Sequence, residues 1–450
     1  MGTESRTKVI VLDDDPTGTQ TVHDVDVLTE WSTASLVAAF NNPEWCVFIL
    51  TNSRALAEPA AVALTQEIVR NVQLASRIAG RPFALISRSD STLRGHFPAE
   101  VDAMRDAFDG TVDGVCLVPA FFEAGRFTVG GTHFLREAGE LIPVAETEFA
   151  RDATFGYRTS YLPAWVEEKS RGAIPASAVT VITLETIRGA HARGVFDRLL
   201  ALPQGGIVAV DAECYADLEV LVHAVLLAEQ AGRRLLFRTA ASFVRVRAGL
   251  AAREYLRPEE MIRADQKGGV IVVGSYVAKT TAQLRQAQAL SNVRSIELSV
   301  QQVLDPATRE AALAAAAAEM EQALARHEHA LVYTSRELAT AAGRAGELSI
   351  GRRISEALVD LVGRLRLRPR FLIAKGGITS SDLAVKALGV RRARVLGQAA
   401  PGIPVWQLGT ESRFPGMAYI VFPGNVGGEL TLAELIGSLA PDRQFARHDA

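Results

Sequence analysis

Short apolar runs recur along the chain, each closed by glycine or by a cluster of polar residues, with amphipathic stretches between them. In the first half, Lys8 to Leu12, Trp45 to Leu50, Phe83 to Ile86, Gly114 to Val118, Val179 to Leu184, Gly206 to Asp211 and Arg234 to Arg238 read as buried strands. Asp217 to Ala231 carries the spacing of a helix between two of them. The stretch 244–267 is rich in charge and contains Pro258, which predicts a linker. A second series of strands follows: Gly268 to Val273, Ser295 to Leu298, Ala330 to Thr334, Phe371 to Ala374 and Tyr419 to Phe422. Helices are predicted over Thr280 to Leu290, Pro306 to His327 and Ile350 to Leu365, with only a short apolar pair at Val395 and Leu396. This alternation predicts an α/β protein of two domains with mostly parallel sheets: residues 1–243, a linker 244–267, and residues 268–450.

In open α/β sheets ligands bind outside the carboxyl ends of the strands. The first strand here runs into Asp13, Asp14 and Asp15. Three adjacent carboxylates repel one another, so their placement points to use. One is suited to take a proton from a substrate hydroxyl while another helps hold a metal. The next strands end in Thr51-Asn52-Ser53-Arg54 and in Ser87-Arg88-Ser89-Asp90-Ser91-Thr92-Leu93-Arg94. Arg54, Arg88 and Arg94 offer forked donors to a carboxylate or phosphate, and Asp90, Ser89 and Ser91 can bond to hydroxyls. Together they suit a small polyhydroxy acid. A long loop from Pro119 adds Arg126 and the pair Gly130-Gly131, and is placed to cover a pocket mouth.

The C-terminal half has a different character. Phe371 to Leu383 reads as strand, glycine turn and helix start, with Gly376 and Gly377 free of Cβ atoms and Thr379, Ser380 and Ser381 as candidate N-caps. Free N–H groups at such a terminus favour an anion, usually phosphate. The stretch is not a P-loop, because the GxxxxGK[ST] spacing is absent. Ser275, after another strand, is a second candidate nucleotide contact, and glycines recur at Gly402, Gly424 and Gly427. Arginines and carboxylates therefore collect in one half and glycine turns in the other. That asymmetry predicts an acid substrate on the first domain and a nucleotide on the second.

Composition narrows the classes. The 450 residues are 48% hydrophobic and 22% charged, as in a folded protein, and suit two or three domains. A net charge of -3 gives no reason to expect nucleic acid or a membrane surface as partner. Cys46, Cys116 and Cys214 match no disulfide or metal spacing, so a reducing cytoplasm is the expected compartment and the metal ligands stay unassigned. The polar start, Met1 to Lys8, leads straight into a strand rather than a signal peptide, and no apolar run reaches the roughly 18 residues of a membrane span.

These residues resemble the four-carbon acid sugar kinases, once a family of unknown function. The resemblance covers nearly the whole chain. DDxTG falls on Asp14, Asp15, Thr17 and Gly18; DSTLRG on Asp90 to Gly95; PAF…GR on Pro119 to Phe121 with Gly125 and Arg126; and TEFARD on Thr147 to Asp152. FRTAASF is Phe237 to Phe243, GS is Gly274 and Ser275, KGGxTS is Lys375 to Ser380, and APGxP is Ala400 to Pro404. The resemblance implies an N-terminal sugar-acid domain, a C-terminal nucleotide domain, and phosphoryl transfer from Mg-ATP to a tetronate: threonate, erythronate or 3-oxo-tetronate. It implies substrate contacts at Asp14, Asp15, Arg54, Asp90 and Arg94, with Asp14 or Asp15 as the base; Arg88 and Arg126 join them as candidate substrate contacts from their places at a strand end and in the long loop. Nucleotide contacts would be Ser275, Gly376, Gly377, Ile378, Thr379, Gly402, Gly424 and Gly427. Three departures stand out: Asp13 and Pro16 flank or interrupt the first motif, and Phe422 replaces the lysine of a late KSGNFG pattern. A sugar-acid dehydrogenase or isomerase would use a similar frame, but no GxGxxG follows an early strand. A non-catalytic sugar-acid-binding protein is the other alternative. A homodimer is compatible with such an enzyme, though no residue argues for one.

Overall fold

The computed structural model describes residues 7–108, 111–137, 139–262, 268–274, 278–335, 344–424 and 426–439. The chain divides into two compact units, Met1–Ala252 and Arg253–Ala450.

The first unit is built on β1 (Lys8–Asp13), β2 (Val25–Leu28), β3 (Cys46–Leu50), β4 (Phe83–Arg88) and β5 (Gly114–Val118). A meander follows, β6 (Arg126–Val129), β7 (Thr132–Glu137) and β8 (Glu140–Pro143), and then β9 (Val179–Ile182), β10 (Gly206–Val210) and β11 (Leu235–Thr239). Its main sheet runs β2-β3-β1-β4-β11-β5-β10-β9 with every pair parallel. Helices such as Glu58–Ala79 and Tyr215–Gln230 cover it, so β1, β3 and β5 are buried along their whole length and read as continuous apolar runs. Ile10, Leu12, Ile49, Leu85 and Leu117 form the middle of this core.

The second unit comprises β12 (Val270–Val273), β13 (Val293–Leu298), β14 (His329–Thr334), β15 (Phe371–Lys375), β16 (Arg392–Ala400), β17 (Ile403–Leu408) and β18 (Ala418–Phe422). Its order is β13-β14-β12-β15-β18-β17-β16, parallel through β18 and antiparallel over the last two pairs. Ile271, Ile373, Ile420 and Phe422 lie in its core.

Both sheets reverse direction at one place. From β1 the chain goes to β2 and β3 on one side and then to β4 on the other; from β12 it goes to β13 and β14 and then to β15. The carboxyl ends of β1/β4 and of β12/β15 are thus topological switch points, where open α/β sheets leave a crevice.

Two segments differ from the sequence reading. The loop after Pro119 contains the β6–β8 meander, whose buried Phe127 and Leu135 hold it down as a second small sheet. Val395 and Leu396 belong to a nine-residue strand; irregularities between Val395 and Gly397 and between Gln398 and Ala400 break the alternation that would have revealed it. Of the stretch 244–267, Val244 to Arg247 ends the helix Ala241–Arg247, and Leu256, Met261 and Ile262 pack into the second core.

Candidate active site

In the first unit the site grows from the ends of β1 and β4. Asp13 and Arg88 are register partners on these parallel strands, so their side chains leave the sheet together. Arg88 Nη1 donates to Asp13 Oδ1 at 3.0 Å, and both groups are buried. Burial pushes the Asp13 carboxyl up to about 7 against the pull of Arg88, with Asp14 and Asp15 adding to the rise. The carboxylate fits because residue 18 is glycine: a Cβ there would overlap it.

Asp14, the next residue, is bound on both oxygens. Arg54 donates through Nη2 to Oδ1 at 2.5 Å and through Nε to Oδ2 at 3.2 Å, and the Ser89 hydroxyl donates to Oδ2 at 2.7 Å. Burial alone would raise its pKa, but Arg54, Arg88 and Arg238 outweigh burial and hold it below the usual carboxylate range. Asp14 is therefore a fixed negative charge. Asp15 instead caps the short turn Pro16–Thr19, its Oδ1 accepting from the Thr17 N–H at 2.8 Å, while Oδ2 lies 3.6 Å from Arg54. Gly95, at φ 131°, passes so close to Ser89 Oγ and Arg238 Nη2 that a Cβ would stand 2.7 Å from each. That approach accounts for the glycine ending the DSTLRG motif.

Beyond Ser89, Arg94 Nε donates to Asp90 at 2.6 Å, and Arg94 lies 3.8 Å from Asp152. Despite burial, Arg94 and Arg54 hold Asp90 well below the usual carboxylate range. The Arg94 guanidinium stands 5.0 Å from the Phe149 ring centre, and that of Arg126 stands 5.7 Å from the same ring. DSTLRG, TEFARD and the GR of the first loop thus meet on one phenylalanine. Ser89, Asp90, Arg94, Pro119, Arg238 and Thr239 line a cleft at this edge.

The four arginines named from sequence are not equivalent. Arg54, Arg88 and Arg94 each have a carboxylate partner within the unit. The Arg126 side chain has neither hydrogen bond nor ion pair among the described residues, and its Nε, like that of Arg88, is buried without a partner. Burial lowers its pKa, and Asp90 offsets this only in part. A guanidinium left in that condition is the group with donors to spare.

Sequence reasoning assigned no role to Arg238, Glu100 or Phe149. Arg238 Nη1 donates to Glu100 at 2.8 Å and to the Ser87 hydroxyl at 2.7 Å, all three buried. Arg238 lies in the FRTAASF motif, the one signal available for it; Glu100 has none.

In the second unit the ends of β12, β15 and β18 converge. The Gly274 N–H donates to the Lys375 carbonyl at 3.3 Å, and the Gly376 N–H to that of Phe422 at 2.9 Å. A Cβ on Gly274 would overlap the Thr379 hydroxyl, so the GS and KGGxTS motifs touch through a glycine. Gly376 itself, at φ 117°, is the N-cap of a helix opening at Gly377, and no side chain caps it. Thr379, Ser380 and Ser381 are not the caps the sequence suggested: the glycine lets the chain turn into the helix earlier, and Ser380 Oγ donates back to the carbonyls of Ala374 and Gly376. The first-turn N–H groups of Gly377, Ile378 and Thr379 have no acceptor within the helix. The Ile378 side chain is 59% exposed.

Gly424 follows β18, and Gly427, at φ 81°, packs against Thr431. Gly402 lies apart, in the β16–β17 turn at φ 70°, where its N–H donates to Gln398 Oε1 at 2.8 Å. Ser275 is outside the described residues. Among the described residues no group of three His, Cys, Asp or Glu is poised around a metal, and no helix is long and apolar enough to cross a membrane.

Comparison with known proteins bears on this geometry. Residues 9–247 match the family of sugar-binding N-terminal domains, and residues 270–432 match the family of nucleotide-binding C-terminal domains. A D-erythronate kinase of Heliobacterium modesticaldum is 29% identical over 265 residues. The matched region is 58% of this chain and 54% of that protein, so the chain spans about half the length of this curated relative. Two crystal structures share the fold at 18% identity. One, from Salmonella typhimurium LT2, has a TM-score of 0.70 and covers 96% of this chain and 98% of its own. The other, from Haemophilus influenzae, has a TM-score of 0.64 with 96% and 99% covered.

Proposed function

Because the chain belongs to the four-carbon acid sugar kinase family, we propose that it transfers the γ-phosphoryl group of ATP to a hydroxyl of a four-carbon sugar acid. D-erythronate is the first substrate to test, since the matched kinase carries that name; threonate and 3-oxo-tetronate are the others. The observation that carries the reading is Arg126. It is a guanidinium without a carboxylate among the described residues, set over the same ring as Arg94 at the sugar-binding unit's switch point. An acid's carboxylate satisfies it in the bidentate manner that arginine favours.

The remaining roles follow from the partners each group already has. Asp14, with both oxygens taken, anchors charge and orients Arg54 and Ser89 toward substrate hydroxyls. Asp15, with one oxygen committed to the Thr17 N–H, has the other for a hydroxyl proton and is our choice as base. Asp90 and Arg94 hold the rest of the polyol. The first-turn N–H groups of Gly377, Ile378 and Thr379 take phosphate oxygens.

Mg²⁺ on the nucleotide would neutralise charge developing on the transferred phosphoryl group. Such an ion keeps waters and phosphate oxygens as ligands and needs at most one or two carboxylates. Little covalent chemistry is asked of the protein; positioning and charge stabilisation dominate.

The test is ADP release with Mg-ATP against erythronate, threonate and 3-oxo-tetronate stereoisomers, with the corresponding neutral polyols as controls. Turnover confined to acids supports the reading. Turnover of neutral sugars alone, or none despite ATP binding, rejects it.

A further inference from the structure

Three buried side chains behind the loop that follows β18 have no assigned part in nucleotide binding. Lys375, at the end of β15, is fully buried, and its ammonium donates to the carbonyls of Pro423 at 2.8 Å and Gly424 at 3.5 Å. It stands 3.9 Å from the centre of the Phe422 ring and has no carboxylate partner among the described residues. Thr280 and Gln283, both fully buried on the helix Ala278–Gln288, complete the set. Thr280 Oγ1 donates to the Gly424 carbonyl at 3.0 Å, and Gln283 Nε2 donates to the carbonyls of Val426 at 3.0 Å and Gly428 at 2.8 Å.

Four carbonyls of one short loop are thus drawn inward by side-chain donors. A planar trans peptide points its N–H opposite to its C=O. With the Pro423 and Val426 carbonyls turned in, the Gly424 and Gly427 N–H groups point away from Lys375 and Gln283. Neither N–H has a partner among the described residues. Gly427, in the left-handed region at φ 81°, is the residue type that permits this reversal. The adjacent β15 end adds the uncapped first turn at Gly377, since the Gly376 N–H is tied to Phe422 on β18. Outward amides gathered in one short loop, beside an uncapped first turn, form an anion-binding concavity. Lys375 adds a positive charge beneath it, and burial pushes that ammonium down to about 7, so an anion above the loop would stabilise its charged form.

We propose that Lys375, Thr280 and Gln283 are positioning residues for nucleotide binding: they turn the loop's carbonyls inward so that its amides face the polyphosphate, with Lys375 supplying a counter-charge from below. This deepens the kinase reading and rests on it. The ligand chemistry is a polyphosphate, so the clamp should matter for ATP and ADP and not for adenosine.

The test uses the full chain, with Kd values for Mg-ATP, ADP and adenosine measured by calorimetry on wild type, Lys375→Met and Gln283→Ala, alongside thermal melting. The expected result is about a 10-fold or greater loss of ATP and ADP affinity, as for a lost charge-assisted or loop-fixing hydrogen bond, with adenosine affinity within about 2-fold of wild type. Lys375→Met should melt near the wild-type temperature, because removing a buried ammonium offsets the loss of its two carbonyl partners. A merely structural role would weaken all three ligands together or change only melting. If Lys375→Met fails to fold, Gln283→Ala decides. ATP and ADP affinities unchanged in both folded variants would overturn the inference, as would a parallel loss of adenosine binding. Absence of ATP binding by the wild type would instead overturn the kinase reading.

Discussion

Gly18 gives Asp13 its place: any Cβ at residue 18 would overlap both oxygens of the Asp13 carboxylate, which lies buried against Arg88. The glycine of the first motif is therefore explained by packing against the preceding strand rather than by an unusual φ. Gly18→Ala should force the carboxylate off Arg88, leaving that buried guanidinium only its 3.8 Å contact with Asp14. The expected cost is on the order of 3 kcal/mol in stability, read by urea unfolding, and at least about a 100-fold fall in kcat/KM. Wild-type stability in this variant would show that the Asp13 pocket relaxes freely.

The Asp13 pair also predicts a pH dependence with an unusual sign. Burial raises the Asp13 carboxyl from 3.8 to about 7, so the folded state holds a proton that the unfolded state has released. Its contribution is fully present below the unfolded pKa and is lost as pH rises through about 7. Asp14, held below its ordinary value, acts the other way at lower pH. Asp13→Asn should therefore gain stability relative to wild type between pH 4 and pH 7, by at most about 1.4 kcal/mol per pH unit. Unfolding free energies at several pH values check this, and a flat difference would refute the raised carboxyl.

Asp15→Asn removes the proposed proton acceptor without disturbing the buried carboxylates. Turnover should fall by about 100-fold or more while ATP binding stays nearly intact. Wild-type kcat would remove Asp15 as base. Gly377→Val, placing a branched side chain at the first turn, should raise the KM for ATP and leave that for the acid unchanged.

Arg126 carries the specificity argument. Arg126→Lys keeps a charge but loses the planar fork, and Arg126→Met loses both. The KM for the acid should rise about 10-fold in the first and about 100-fold in the second, with the ATP KM unchanged. Arg126→Met should also narrow the preference for acids over neutral polyols. An unchanged acid KM would move the carboxylate to another group.

Much of the frame was legible in the sequence. The strands carrying the site are buried on both faces and stand out as apolar runs, and their polar ends mark the ligand edge of a parallel sheet. Side-chain pairing was not legible. Arg88 and Asp13 stand 75 positions apart and meet only because β1 and β4 are neighbours in register. The forked donors read as ligand contacts at Arg54, Arg88 and Arg94 are engaged by carboxylates within the unit, and only the fold singles out Arg126. The helix start at Gly377 was placed too late, because serine and threonine are common caps and a glycine cap at positive φ leaves no distinctive composition. Asp13 and Pro16, where the family pattern has other residues, lie at the Arg88 pair and in the turn capped by Asp15.

The central claim is that the γ-phosphoryl group of ATP ends as an ester on the sugar acid. Phosphorus-31 NMR of the wild-type enzyme with Mg-ATP and D-erythronate, repeated with the other tetronates, follows that group directly. The expected result is loss of the γ resonance, appearance of ADP, and a new phosphate-monoester signal coupled to carbon-bound protons of one acid. Inorganic phosphate as the sole product, or an undiminished γ resonance with every acid in the panel, would contradict it.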